Sequence, residues 1–264
     1  MIRVARAELL KLRTTPGPWV VLGVSLVLTA LGVLGAFVSG RAHGPAFRAP
    51  VTVDQLRDLV GSGYLGEALL MTPILGVLCI TAEYRHKVIT TTLLNTPRRE
   101  QVLVGKAVAS VIWGIFMCIA GLALVAAMGL PWLSAEGGSV SALLRQVGPV
   151  VPGLLADFAL FALFGLGIGI LLKNQVAGVL VTIGGTFIIE PIVYQLFRHL
   201  LQIDLDWLPS MAAASVAGGL TRGNGHGSSQ MVMLSWWTGA LVLLAWGLGP
   251  AVIGYFTTFR RDVT

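Results

Sequence analysis

The stretch VGPVVPGLLADFALFALFGLGIGILL, residues 147–172, contains a single ionisable side chain, that of Asp157. An α-helix rises about 1.5 Å per residue, so about 20 apolar residues cross the roughly 30 Å hydrocarbon core of a bilayer. The stretch therefore predicts a membrane-spanning helix. A barrel strand is not expected, because the two-residue alternation of polar and apolar side chains that it needs is missing.

The rest of the chain has the same character. Of its 264 residues, 55% are hydrophobic and 11% are charged, whereas a soluble domain carries about 25% charged residues. Apolar runs of spanning length occur six times, at about residues 18–38, 64–82, 102–130, 147–172, 176–197 and 232–256. There is no repeat of fixed period and no linker, so the sequence predicts one all-α polytopic membrane domain over residues 1–264.

The Lys and Arg residues predict how this domain is oriented. Six spans place both termini on one side of the membrane, and most of the 18 Lys and Arg residues fall on that side. The positive-inside rule then predicts cytoplasmic termini. The membrane that we expect is a bacterial cell (inner) membrane. The net charge of +6 fits this topology and contact with the anionic lipid bilayer. Nucleic acid is not an expected partner, because no basic cluster is interleaved with aromatic residues.

Three segments outside the spans are expected to have defined structure. IRVARAELLKLR, residues 2–13, separates an apolar face from its arginines and predicts an amphipathic helix at the membrane interface. Residues 83–96, between the second and third spans, predict one or two cytoplasmic helical turns, because three consecutive threonines weaken a longer helix. The outer segment between the last two spans holds an apolar patch at residues 208–220, which is too short to span and predicts a re-entrant or interfacial element.

The fourth and fifth spans are joined only by Lys173–Gln175. So short a connection predicts a tight antiparallel hairpin. Within the fourth span, Gly165 and Gly169 lie four residues apart, the spacing at which small residues let membrane helices pack closely.

The sequence gives little support for chemistry within this chain. The Gly105–Lys106 pair lacks the other residues of a phosphate-binding loop, which needs a Gly and a Ser or Thr where the chain has Glu100 and Ala107. The four histidines are scattered and lack the H-E-x-x-H spacing of a zinc protease. We therefore predict no catalytic residue, no metal site and no cofactor in this chain.

Three acidic residues lie inside predicted spans: Glu67, Asp157 and Glu190. A carboxylate buried in lipid costs at least a few kcal/mol, so these side chains should face protein or water. The helical rise places all three in the outer half of the membrane. They are candidates for a pathway or gate, and the alternative is that each pairs with a neighbouring helix or with Arg198.

The order of these features resembles the membrane subunit of type-2 ATP-binding-cassette exporters. A basic amphipathic lead, ARAELLKLRTTP, precedes a first anchor; the second span runs into EYRHKVITTTLLNTPRREQVLVGKAVAS; four more spans end in the basic tail FRRDV. The resemblance implies that residues 83–96 form a coupling helix that docks into a separate ATPase, and that the segment after the fifth span is re-entrant. Many members of the family place Gly-Thr where this chain has Lys87 and Val88.

The resemblance also implies a function. The chain would be one of two permease halves, in a homodimer or heterodimer, that export a small or lipophilic compound while the partner ATPase binds ATP and Mg²⁺. The implied ATPase contact comprises Glu83, Arg85, Lys87, Val88, Ile89, Leu93 and Arg98. Two other function classes stay open: a membrane subunit of an ATPase-driven mechanical or signalling complex without solute passage, and an intramembrane enzyme.

Overall fold

The computed structural model of the protein describes residues 2–41, 60, 64–85, 99–135, 137–203, 205–216 and 234–259. Each element of regular secondary structure in these residues is helical, which confirms the all-α prediction. Most of the predicted coupling segment follows Arg85 and lies outside the described residues. So does the part of the outer segment that follows Val216.

The described helices are α1 (Ile2–Thr14), α2 (Pro16–Arg41), α3 (Tyr64–Arg85), α4 (Arg99–Ala135), α5 (Val140–Val147), α6 (Val151–Leu172), α7 (Gln175–Ile183), α8 (Glu190–Leu201), α9 (Pro209–Val216) and α10 (Trp236–Gly254). A π-helical segment, Gly184–Ile189, joins α7 to α8 without a break. A second π-helical segment, Tyr255–Phe259, extends α10.

Several of these helices identify a membrane protein. Five stretches are long and apolar enough to cross a bilayer: Pro16–Gly35, Glu100–Ala135, Val151–Leu172, Gln175–Leu201 and Trp236–Thr257. They correspond to the predicted first, third, fourth, fifth and sixth spans. The predicted second span corresponds to α3, which is not among these five, so the count of six spans stays a prediction.

The fourth span begins later than its sequence predicts. Val147 is the last residue of the short helix α5, and α6 begins at Val151. Between them lies Pro149, which has no N–H and therefore cannot extend the hydrogen-bond pattern of α5. The apolar run over residues 147–172 is thus divided between the end of one helix and the whole of the next.

Helix α6 is the centre of the bundle and packs against α3, α4 and α10. Glycines set its distance from α3. A Cβ atom on Gly165 would overlap the carbonyl oxygen of Pro73, and a Cβ atom on Gly76 would overlap that of Ala162. The two helices therefore touch backbone to backbone, which confirms the packing role predicted for Gly165.

The turn between α6 and α7 is as tight as predicted. Lys173 takes a left-handed conformation with φ of 53° and ends α6. The side-chain oxygen of Asn174 accepts hydrogen bonds from the N–H groups of Val176 and Ala177, at 3.0 and 3.2 Å. Asn174 thus caps α7 and lets the chain reverse over two residues.

Three parts of the chain lie together at one end of the bundle: the end of α3, the start of α4 and the α6–α7 turn. Across it, Arg85 Nη1 donates a hydrogen bond to Gln175 Oε1 at 3.3 Å, and Tyr255 Oη lies 3.3 Å from Glu100 Oε1. Helix α1 packs against α4 and α2 and reaches α3 at this end through Lys11 and Glu83. We call it the basic end.

At the opposite end, α9 packs along the side of α10. Trp207 stacks on Trp246 with ring centroids 6.4 Å apart, and Trp246 Nε1 donates to the Trp207 carbonyl oxygen at 2.8 Å. A Cβ atom on Gly239 would lie 2.7 Å from the carbonyl oxygen of Ala212. Residues 205–216 therefore lie against a membrane helix.

Candidate functional site

The structure describes two residues of the predicted ATPase contact. Glu83 and Arg85 lie in the last turn of α3, at the basic end. The other five predicted contact residues lie outside the described residues: Lys87, Val88, Ile89, Leu93 and Arg98. Asp157 and Glu190 are described, whereas nothing is described of the Glu67 side chain.

Glu83 belongs to a group of four paired charges. Lys106 of α4 places Nζ 2.7 Å from Glu8 Oε2 of α1 and 2.8 Å from Glu83 Oε1 of α3. Lys11 of α1 places Nζ 2.7 Å from Glu8 Oε1 and 2.7 Å from Glu83 Oε1. The two lysines and two glutamates alternate around a ring, which we call the charge cluster.

Three of the four side chains in the charge cluster are buried, and the fourth, Lys11, is partly exposed. The exposed fraction of the side chain is 1% for Lys106, 3% for Glu8 and 9% for Glu83, against 42% for Lys11. Lys106 Nζ also donates to the carbonyl oxygen of Cys79 at 3.1 Å. Charges removed from water to this degree persist only when opposite charges and hydrogen bonds compensate them, and loss of one partner typically costs about 3–5 kcal/mol.

The two carboxylates of the charge cluster stabilise the charged form of Lys11. Partial burial lowers the pKa of the Lys11 ammonium group, but its hydrogen bonds to Glu8 and Glu83 more than offset this, so the net pKa lies above its ordinary value. A raised lysine pKa means that the Lys11 ammonium group is charged at neutral pH and loses its proton only in strongly alkaline solution.

Local sequence explains how α1 reaches this position. A Cβ atom on Gly105 would lie 2.8 Å from Val4 Cγ1, so the missing side chain lets α1 lie against α4 beside Lys106. Glu8 and Leu12 lie one turn apart on α1 and are both buried. The amphipathic helix α1 therefore carries an acid, Glu8, within its buried face. Helix α4 supplies a cation, Lys106, beside it, and α3 supplies the second acid, Glu83.

Asp157 lies in α6 and is 1% exposed. Next to it, the Phe158 carbonyl would lie 2.7 Å from a Cβ atom on Gly114, which shows how closely α4 approaches α6 there. Asp157 Oδ1 has no hydrogen-bond partner in the part of the chain that the structure describes. The acid thus faces protein, as its sequence position predicts, but no ion pair or hydrogen bond among the described residues joins it to Glu190.

Glu190, the first residue of α8, contacts the start of α9. Its Oε1 accepts hydrogen bonds from the backbone N–H of Ser210 at 2.7 Å and from the Ser210 hydroxyl at 2.5 Å. A carboxylate at a helix N-terminus satisfies free N–H groups and is stabilised by the helix dipole. Glu190 therefore fixes residues 205–216 to the bundle, while Arg198 donates to the hydroxyl of Tyr194.

Metal binding finds no support in the described structure. Within those residues, no three His, Cys, Asp or Glu side chains are grouped closely enough to hold a metal ion. The charge cluster is internally neutralised by its own lysines, so its two carboxylates are engaged with ammonium groups.

Comparison with known proteins does not identify a family. No protein-family model matches the sequence, and no curated protein gives a significant match.

Proposed function

We propose that the chain is the transmembrane subunit of a type-2 ATP-binding-cassette exporter. In this proposal it forms the passage for a small or lipophilic compound together with a second permease half. A separate ATPase subunit binds ATP and Mg²⁺ and contacts residues 83–96. The chain itself carries out no catalysis.

The charge cluster is the observation that carries this proposal. Residues 86–98 connect α3 to α4, and Glu83 and Lys106, on either side of that connection, pair with each other and with α1. A force applied to residues 86–98 is therefore delivered to three helices held together by buried ion pairs. Such a rigid frame is what a permease needs in order to convert the movement of an ATPase into movement of its membrane helices.

The proposal includes a topology of six spans with cytoplasmic termini. Helix α3 is the second span, because Tyr64–Arg85 has 22 residues and is apolar over most of its length. The basic end then faces the cytoplasm, and residues 205–216 form a re-entrant element on the outer side. The close contact between Gly239 and Ala212 supports this element, since it holds the segment against α10.

A double substitution in the coupling segment tests the ATPase contact. Replacing Ile89 and Leu93 by Asp is expected to abolish co-purification of the proposed partner ATPase, because each change places an uncompensated charge in a desolvated contact. The measurement is a pull-down in detergent at equal permease levels, followed by substrate-stimulated ATP hydrolysis in lipid.

The matched control is a pair of aspartates at the opposite end. Val140 and Leu144 of α5 are exposed apolar residues one turn apart, so replacing both by Asp adds the same charge and should leave ATPase recovery unchanged. Normal recovery with the Ile89 and Leu93 double variant would reject residues 83–96 as the contact. ATPase binding without any substrate stimulation would favour a mechanical or signalling complex.

Single-cysteine labelling tests the topology. In a chain whose Cys79 and Cys118 are replaced by Ala, a membrane-impermeant maleimide added outside should label Gly225→Cys and should not label Asn174→Cys. The proposal places Asn174 in a cytoplasmic turn and residue 225 in the outer segment. The reverse labelling pattern would invert the orientation, and permeabilised cells, in which both sites should react, provide the control.

A further inference from the structure

A cavity of about 550 Å³ lies at the basic end, between α1, the first turn of α2, the last turns of α3 and the start of α7. Its walls are mostly apolar and include Leu12, Pro18 and Leu78. The charge cluster forms one side of it through Glu8, Lys11 and Glu83, and Arg85 lies at its edge. The cavity thus combines an apolar wall with ionic groups, beside the start of α2 and the end of α3.

We infer that this cavity is a binding site for one anionic phospholipid of the adjacent leaflet, with phosphatidylglycerol as the matching headgroup. The inference does not depend on the proposed transport function. A phospholipid has the two parts that the cavity requires, a phosphate for its cationic edge and glycerol and acyl carbons for its apolar wall.

The balance of charge favours an anionic lipid over a zwitterionic one. The charge cluster is neutral as a whole, because the two carboxylates, Glu8 and Glu83, are paired with Lys11 at the cavity and with Lys106 buried behind it. Arg85, at the edge of the cavity, adds one positive charge to this neutral group. Both lysines are already paired with carboxylates. Arg85 is exposed and donates to the neutral amide oxygen of Gln175, so among the described residues that line the cavity its charge is the one that a phosphate can neutralise.

Two further features agree with phosphatidylglycerol. The first residues of the 26-residue helix α2 line the cavity. Pro16 and Pro18 have no N–H to donate, so α2 favours a phosphate there through the positive end of its dipole. Glu83 keeps one buried oxygen, Oε2, without a hydrogen-bond partner among the described residues. The hydroxyl groups of a glycerol headgroup supply donors of the kind that this oxygen lacks.

Native mass spectrometry of the full-length protein, titrated with lipids of identical acyl chains, tests the inference. The wild-type protein is expected to retain one phosphatidylglycerol with about fivefold preference over phosphatidylcholine and phosphatidylethanolamine, as one uncompensated basic residue at a membrane surface implies. Arg85→Gln should abolish the preference. Ala82→Phe should abolish retention of this lipid, because it places an aromatic ring in the cavity.

Arg3→Gln is the charge-matched control, since Arg3 is exposed on α1 and does not line the cavity; it should leave the preference intact. Equal losses in Arg3→Gln and Arg85→Gln would overturn the inference in favour of a diffuse basic surface. Equal retention of the three lipids by the wild-type protein, or unchanged retention in Ala82→Phe, would also overturn it. If Ala82→Phe does not fold, Arg85→Gln still decides the test, because Arg85 is exposed and its substitution should not disturb folding.

Discussion

Replacing Lys106 by Met is expected to lower the free energy of unfolding by about 3–5 kcal/mol. Lys106 is 1% exposed and pairs with both Glu8 and Glu83. Without it, two carboxylates share the single ammonium group of Lys11, and at least one of them stays buried without a full counter-charge. Dodecyl sulfate titration of the detergent-solubilised protein measures the loss.

A double variant tests whether the loss of stability in Lys106→Met comes from unbalanced charge or from lost packing. Glu8→Gln combined with Lys106→Met removes one charge of each sign and leaves the Lys11–Glu83 pair, so the double variant should recover more than half of the stability lost in Lys106→Met. Lys11→Met should cost only about 1 kcal/mol, because its 42% exposed side chain is partly compensated by water. Additive losses in the double variant would contradict a coupled charge cluster.

Gly165→Ala is expected to destabilise the protein by about 3 kcal/mol, at the upper end of the cost of overpacking. The added Cβ atom would overlap the carbonyl oxygen of Pro73, a backbone atom that cannot rotate away. Helices α3 and α6 must therefore move apart along their contact. The same titration measures the effect, and cysteine crosslinking between α3 and α6 should fall in parallel.

Gly23→Ala is the matched control for this helix packing. Gly23 also lies in a membrane-spanning helix, but a Cβ atom on it would meet no atom within 4 Å. Its substitution should change stability by less than about 1 kcal/mol, the size of the difference in helix propensity. Equal effects of the two substitutions would show that the α3–α6 contact tolerates separation.

The sequence predicted those parts of the structure that depend on local pattern. Apolar length located the membrane helices, the three-residue connection Lys173–Gln175 predicted the α6–α7 hairpin, and the spacing of Gly165 and Gly169 predicted close packing. The start of α6 was predicted too early, because hydropathy does not distinguish Val147 from the residues after Pro149. The π-helical segment between α7 and α8 has no signature in the apolar pattern.

The charge cluster could not be predicted from the sequence, because its ion pairs join residues that are far apart along the chain. Lys11 and Lys106 were interpreted through the orientation bias that they share with other basic residues. One local feature did point to burial: Glu8 lies on the same face of α1 as Ala5, Leu9 and Leu12. For Glu190 the partner, Ser210, lies 20 residues away in a segment whose packing is not encoded by periodicity.

The separation of Glu8 and Lys106 by 98 residues also has a consequence for biosynthesis. At about 5–20 residues per second, the ribosome needs about 5–20 s to make the chain between them. During most of that interval Glu8 has only Lys11 to neutralise it, and once Glu83 has also been made the two acids share Lys11 until Lys106 follows 23 residues later. The N-terminal helix can therefore reach its final electrostatic environment only after α4 arrives, and a nascent chain that stops earlier displays an unpaired acid to membrane quality-control proteases.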